Sequence, residues 1–321
     1  MTEQDKIWTL FDPLYKNFQN AELIFQEKPL LAHYTSIQTI EKIITSEEIW
    51  LSNPLFMNDM EELQFGLITG MQLFQQSKII EEMCGKQKAD EAKQILTNCV
   101  MNYDKTHALN VYVFCLSEHH PDDNDGKLSM WRAYGNSGNG AAIVLNTQSL
   151  YKSEDFPLIF AKVEYASTEI RKEKLEKLIE NWCRIVTENH IPEDKFWLAP
   201  TFLFEVFKLY ALTSKHNGFK EEQEWRVIYM PERDSQGILK DKFDYVVGNY
   251  GVEPKLKLKI EPLTGSPTLP TISLASLLDR IILGPSVSSP LAVNSFYKML
   301  AQIKPEFENR VVASTIPLRP R

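Results

Sequence analysis

Short apolar runs bounded by polar turn residues recur along this chain at irregular intervals, and long stretches of helical period stand between them. LLAHYT (30–35), EIWLS (48–52), VYVFCLS (111–117), AAIVL (141–145) and IFAKVEY (159–165) have the length and the β-branched and aromatic content of strands. So do EWRVIYM (224–230), PKLKLKI (254–260) and LDRIIL (278–283), with a last short strand near 310–314. The spacing predicts a helix over roughly 60–82 with Leu63, Leu67, Met71 and Phe74 inward, and a second over about 88–103. Residues 168–216 read as mostly helical with a break at Ile191-Pro192, and Ser289-Pro290 starts a further helix. Strands and helices do not alternate as βαβ units, and no GxGxxG or phosphate-loop motif is present. The pattern therefore gives an α+β fold and argues against a Rossmann enzyme or a P-loop NTPase. Without a repeat or a low-complexity linker, it reads as one domain over 1–321, with helical insertions at about 60–105 and 168–216.

Charge narrows the classes of partner. The 35 basic and 43 acidic residues leave a net charge of −8, which disfavours a protein that coats itself in nucleic acid through a basic surface. A local basic groove remains open. No apolar run is expected to reach membrane-spanning length, and the acidic N-terminus MTEQDKIWTLFD lacks the regions of a signal peptide. Cys84, Cys99, Cys115 and Cys183 form no CxxC or Cys/His pair at metal spacing. They read as free thiols in a reducing compartment, and the expectation is a cytoplasmic protein without a membrane partner.

The most charged strand entrance is FKEEQEWRVIYM (219–230). Side chains alternate along a strand, so Glu222, Glu224 and Arg226 share one face and Gln223, Trp225, Val227 and Tyr229 the other. The apolar face then lies on the core. The carboxylates either face solvent or line a cleft, where they would stabilise a cation or position a nucleophile. Thr35-Ser-Ile-Gln38 has capping-box form with Thr35 as N-cap, which makes His33 either a core histidine or a ribose-binding side chain at a strand end. Asn58-Asp59-Met-Glu61-Glu62 opens a helix, where Asp59 and Glu62 read as a capping box or, with Glu61, as metal ligands. Trp131, Arg132 and Tyr134 follow the strand that ends at Ser117. Trp131 reads as packing, whereas Tyr134 is open as a stacking surface. Lys255, Lys257 and Lys259 give one basic face, either protecting an edge strand or contacting phosphates.

Taken in order, HYT (33–35), IWLS followed by FMNDMEE, FCLSE, SMWRAYG, EEQEWRVIY and IILGP (281–285) resemble a bacterial family known as a domain of unknown function. Members of that family are often found near anti-phage defence genes. The resemblance runs from about residue 30 to 286. More remotely, the set is similar to ADP-ribosyltransferases, including DarT-type toxins that modify DNA and related toxins that modify RNA. That resemblance implies an ADP-ribosyltransferase-like core of short strands carrying large helical insertions. It also implies NAD as the donor substrate, a nucleic acid or protein as acceptor, and an antitoxin or defence-system partner. Glu224, Glu222 and His33 would be catalytic. Glu224 would bond the ribose 2′-hydroxyl and stabilise the oxocarbenium ion, Glu222 would orient the acceptor, and His33 would hold a ribose. His33, Tyr34, Thr35, Ser117, Trp131, Tyr134 and Arg226 would bind NAD, with Ser117 supporting Glu224. Two other readings stay open. One is a metal-dependent nuclease-like effector using Asp59, Glu61, Glu222 and Glu224. The other is a non-catalytic nucleotide-binding module in which Arg226 neutralises Glu224.

Overall fold

A computed structural model describes residues 3–16, 23–57, 60–106, 108–150, 157–234, 236–248, 251–261 and 273–318. The fold is mixed α/β, with one large mixed sheet and many helices. It divides into two compact units: Met1–Asn20, Asn53–Tyr112 and Ala161–Lys220 in the first, and Ala21–Ser52, Val113–Phe160 and Glu221–Arg321 in the second.

The second unit carries the sheet. Its strands are β1 (Leu30–Thr35), β2 (Glu48–Ser52), β3 (Tyr112–His119), β4 (Ala141–Asn146), β5 (Leu158–Lys162), β8 (Glu224–Tyr229), β9 (Phe243–Gly248), β10 (Gly251–Lys259), β11 (Leu278–Leu283) and β12 (Val311–Ala313). Among the described residues these ten run in the order β12-β11-β4-β1-β3-β2-β10-β9, with β8 branching off β3 and pairing with β5. β11 and β12 are parallel, and β1 is antiparallel to both β3 and β4. In the first unit, β6 (Glu164–Ala166) and β7 (Ser214–His216) form a separate parallel pair. The single strand expected over 159–165 is therefore two, since the chain changes pairing partners at Val163.

Register fixes which side chains can meet. Residues directly opposite in an antiparallel pair point to the same face of the sheet. Ala32 pairs with Ser117 and Val144, and Tyr34 pairs with Ala142, so these five share one face. Met130, Trp131 and Ile282 complete an apolar cluster there. His33 pairs with Ile143, which puts it on the opposite face. That face is covered by Ile40, Ile43 and Ile44 of the helix Ile37–Ser46 and by Phe296 and Leu300 of the helix Pro290–Ile303.

Several expectations shift by a residue or break. Ser36, not Thr35, caps the helix Ile37–Ser46, its hydroxyl accepting from the Thr39 N–H at 3.1 Å. Thr35 belongs to β1 because it still pairs with Ala141. Ser289 caps the helix that begins at Pro290, as the dipeptide predicts. The lysine-bearing strand β10 is not an edge, since β9 covers it. Each of its lysines has an acidic neighbour: Lys255 lies 2.9 Å from Glu253, Lys257 2.5 Å from Asp244, and Lys259 3.7 Å from Glu261. Lys257 also lies over the Trp50 ring. That is a solvated, paired face rather than a stripe awaiting phosphates.

The first unit is built on the helix Leu198–Thr213, every residue of which is buried except Thr201. The stretch Glu193–Thr213 does have the length and mean hydropathy (1.2) of a membrane span, contrary to expectation, but 89% of its window is packed inside the fold. Trp8, Phe11 and Tyr15 close on Phe202 of this helix with ring centroids 4.8–5.0 Å apart. The helix expected over 60–82 runs from Met60 to Gln76 through a π-helical turn at Phe65–Thr69, and is interrupted only at Ser77-Lys78 before Ile79–Cys84. Gly66 and Gly70 lie one turn apart and face the buried helix. A Cβ on Gly66 would fall 2.4 Å from Ala211 Cβ and 2.9 Å from Ala211 Cα. The backbones touch there because glycine leaves room. Replacing Gly66 with Ala should cost about 1–3 kcal/mol, read as a lower urea midpoint at unchanged slope. An unaltered midpoint would show that the two helices separate freely.

Candidate functional site

A polar cluster gathers where β3 ends and β8 begins. Ser117 is 1% exposed. Its hydroxyl donates to the Glu222 carbonyl at 2.5 Å, and the Glu118 N–H donates to the Gln223 carbonyl at 2.9 Å. These two bonds tie the end of the short 3-10 helix Asn217–Glu222 to β3. Gln223 then turns the chain with φ 43°, a left-handed conformation, and β8 starts only at Glu224. Strand alternation does not reach back to residue 222, so the two glutamates do not share a strand face.

They have different partners. The half-buried Glu222 carboxylate accepts from the Tyr134 hydroxyl at 2.8 Å, and Tyr134 itself is 37% exposed. Glu224 is 5% exposed and receives Arg226 in bidentate fashion, Nε to Oε1 at 2.8 Å and Nη2 to Oε2 at 3.1 Å, with Arg226 only 2% exposed. All of β8 is buried, so both of its faces pack rather than one. The Trp225 indole donates to the Glu118 carboxylate at 2.9 Å. Trp225 therefore shares the Glu118 side of the sheet, and Glu224 and Arg226 turn to the Ser117 side.

Lys127 completes the cluster and was not singled out by the sequence. Its Nζ donates to Ser117 Oγ at 3.0 Å and to Gln223 Oε1 at 2.6 Å. Burial holds this ammonium below the ordinary lysine value, opposed by the charges of Glu118 and Asp123. Its backbone N–H donates to the Tyr34 hydroxyl at 3.0 Å. Burial pushes that hydroxyl up to about 12, against the lowering effect of the Lys127 N–H. The turn before Lys127 needs glycine: Gly126 has φ 70°, and a Cβ there would sit 2.8 Å from the Tyr34 oxygen. Trp131 is fully buried, donates to the Asp125 carbonyl and meets Tyr34 edge-on at 4.8 Å, which is the packing role expected of it.

The structure thus brings Ser117, Tyr34, Tyr134, Glu222 and Trp131 to one side of the sheet, with Lys127 and Gln223 among them. It does not bring His33 there. The His33 ring stacks on Phe114 at 4.3 Å, and its Nδ1–H donates to the Cys115 carbonyl at 2.9 Å. Burial holds the imidazole below its ordinary value, the Cys115 bond opposing. Thr35 follows the same alternation as His33. Asn58 and Asp59 lie outside the described residues, as does the Glu61 side chain. The Glu62 carboxylate is engaged by Arg171 at 2.6 Å. Among the described residues no three His, Cys, Asp or Glu side chains are gathered as metal ligands.

A protein-family model described as "Protein of unknown function (DUF2971)" matches residues 130–227, under a third of the chain. That span contains Trp131, Tyr134, Glu222, Gln223, Glu224 and Arg226, but neither His33, Ser117 nor Lys127. No curated protein and no solved structure matches the chain.

The unlike settings of the two glutamates separate them experimentally. Glu224→Gln removes the carboxylate charge that a buried guanidinium holds through two bonds and should cost about 3–5 kcal/mol, whereas Glu222→Gln at a half-exposed bond should cost about 1 kcal/mol. Equal urea midpoints for the two variants would contradict these environments. The histidines set an acid limit. His33 and His119 are both held below 6.5 by burial, so the unfolded chain takes up protons first. Stability is full above that value and falls as pH drops through it. His33→Asn should shrink the fall in urea midpoint between about pH 7.5 and about pH 5.5, and an unchanged fall would contradict this.

Proposed function

We propose that the chain is an ADP-ribosyltransferase-like enzyme that takes NAD as donor. In this reading Glu222, rather than Glu224, is the carboxylate that faces the reacting ribose. The single observation that carries it is the Tyr134–Glu222 contact, which orients a half-exposed carboxylate on the residue whose backbone carbonyl accepts from Ser117, next in sequence to the Gln223 that Lys127 bonds. Glu224 is closed off by Arg226. The donor set suits such a substrate: a carboxylate for a ribosyl cation, an ammonium for pyrophosphate charge, and an exposed aromatic ring for a flat base.

As the bond from ribose C1′ to the nicotinamide nitrogen breaks, its electron pair leaves with nicotinamide and positive charge grows on the sugar. Glu222 stabilises that charge, and Tyr134 Oη holds the carboxylate in place. Lys127, supported by Ser117 and Gln223, binds the phosphates. The acceptor is a nucleic acid or a protein, and the setting is a bacterial defence or toxin system with its partner. Those two statements rest on the family resemblance alone. His33 has no part in this scheme.

The bidentate Glu224–Arg226 pair favours a second reading, a nucleotide-binding module without turnover. The two separate in one assay, with purified protein, NAD labelled in the nicotinamide ring, and DNA, RNA and protein acceptors. The enzyme reading expects nicotinamide release that falls by about 10²–10³-fold in Glu222→Gln and by less in Tyr134→Phe. Saturable NAD binding without release selects the module. Release that is unchanged in Glu222→Gln would overturn the assignment of that carboxylate.

A further inference from the structure

The segment that follows β12 crosses two of the turns that frame the polar cluster. Ser314 is buried, and its N–H donates to the Leu283 carbonyl at 2.9 Å. Thr315 then meets Asp125 twice, its N–H and its hydroxyl both donating to Asp125 Oδ1, at 2.5 and 2.8 Å. Ile316 packs on the apolar cluster that holds Tyr34, Met130 and Trp131. Leu318 lies against the turn after Tyr134, where a Cβ on Gly138 would fall 2.6 Å from its Cδ2.

Asp125 opens the turn that delivers Lys127. Its own N–H and that of Gly126 donate to Asp123 Oδ1 at 2.8 and 2.9 Å, and its carbonyl accepts from the Trp131 indole. Those contacts are local. The Thr315 pair ties the same turn to a part of the chain 190 residues away.

We propose that residues 314–318 form a releasable strap that sets the position of Lys127, with Asp125 and Thr315 as positioning residues. With the strap closed, Asp125 is anchored at its carboxylate by Thr315 and at its carbonyl by Trp131. Two residues on, the Lys127 N–H is anchored by Tyr34 and its ammonium by Ser117 and Gln223. Gly126 joins the two sets of anchors with φ 70°, and a glycine joint has wide freedom once an anchor on one side is lost. The contact between Thr315 and Asp125 lies at the surface, with Thr315 itself exposed. Exposed hydrogen bonds of this kind open locally, without unfolding the sheet beneath. Strap closure and a ligand on Lys127 then favour one another, because linked equilibria are reciprocal. That consequence rests on the proposed function, in which Lys127 is the cation of the site, whereas the strap itself does not.

The test uses the full chain without ligand, so its outcome is separate from that of the NAD assay. Two quantities are read by nuclear magnetic resonance: hydrogen exchange of the Gly126 and Lys127 amides, and titration of the Lys127 ammonium followed at its Cε. In the closed turn, burial holds that ammonium below the ordinary lysine value against the charges of Glu118 and Asp123. Thr315→Pro removes both donors, since proline has no N–H, and Asp125→Ala removes the acceptor. Each variant should speed exchange of the two amides at least about fivefold while the amides of β4 keep their rates. Each should also move the Lys127 titration up toward the ordinary value. The double variant should match either single one, because both cut the same contact. Thr315→Val keeps the N–H and should shift both readouts less in the same direction, and it decides the matter should Thr315→Pro fail to fold. Exchange and titration unchanged by Thr315→Pro and Asp125→Ala, or effects that simply add in the double variant, would overturn the proposal.

Discussion

The seam between β3 and the turn that precedes β8 governs the rest of the site. Two hydrogen bonds make it, Ser117 Oγ to the Glu222 carbonyl and the Glu118 N–H to the Gln223 carbonyl. Leaving a buried donor unmade there would cost about 1–3 kcal/mol, so the turn has little freedom to shift. Because Gln223 is left-handed, the strand begins one residue after it. The two glutamates consequently diverge. Glu224 goes inward to a guanidinium, and Glu222 stays at the surface under a tyrosine hydroxyl. A slip of one residue would turn Trp225 to the Ser117 side and Glu224 away from it.

Sheet parity is the second constraint. Ala32 opposite Ser117 commits Tyr34 to the side of Ser117 and Lys127, and commits His33 to the other. Two adjacent residues of one strand thus serve different surroundings. Tyr34 braces the Lys127 turn, while His33 stacks on Phe114 on the opposite face. The order of motifs along a chain does not decide whether side chains meet, because alternation can place neighbours on opposite faces.

Strand positions were legible where the signal was local. LLAHYT, EIWLS and LDRIIL are strands at the residues their composition suggests, and Ser289-Pro290 starts its helix. The close approach of Gly66 to Ala211 and of Gly70 to Phe207 was not legible, since these partners lie far along the chain. β9 was missed because FDYVVG is short and gains its place only by pairing with β10. Lys127 was passed over for a similar reason. It sits in a polar turn-rich segment, and nothing nearby shows that Ser117 and Gln223 will converge on its amine. The pairing of Glu224 with Arg226 could be foreseen from their spacing, but its burial on both sides of β8 could not.

The central claim is that the ligand-bearing surface lies on the Ser117 side of the sheet, with Lys127 as its cation. Calorimetric titration of NAD into the reduced protein, into Lys127→Met and into His33→Asn tests it most directly. The account predicts saturable binding that survives His33→Asn and is lost or weakened at least about tenfold in Lys127→Met. Binding that persists in Lys127→Met and disappears in folded His33→Asn would contradict it.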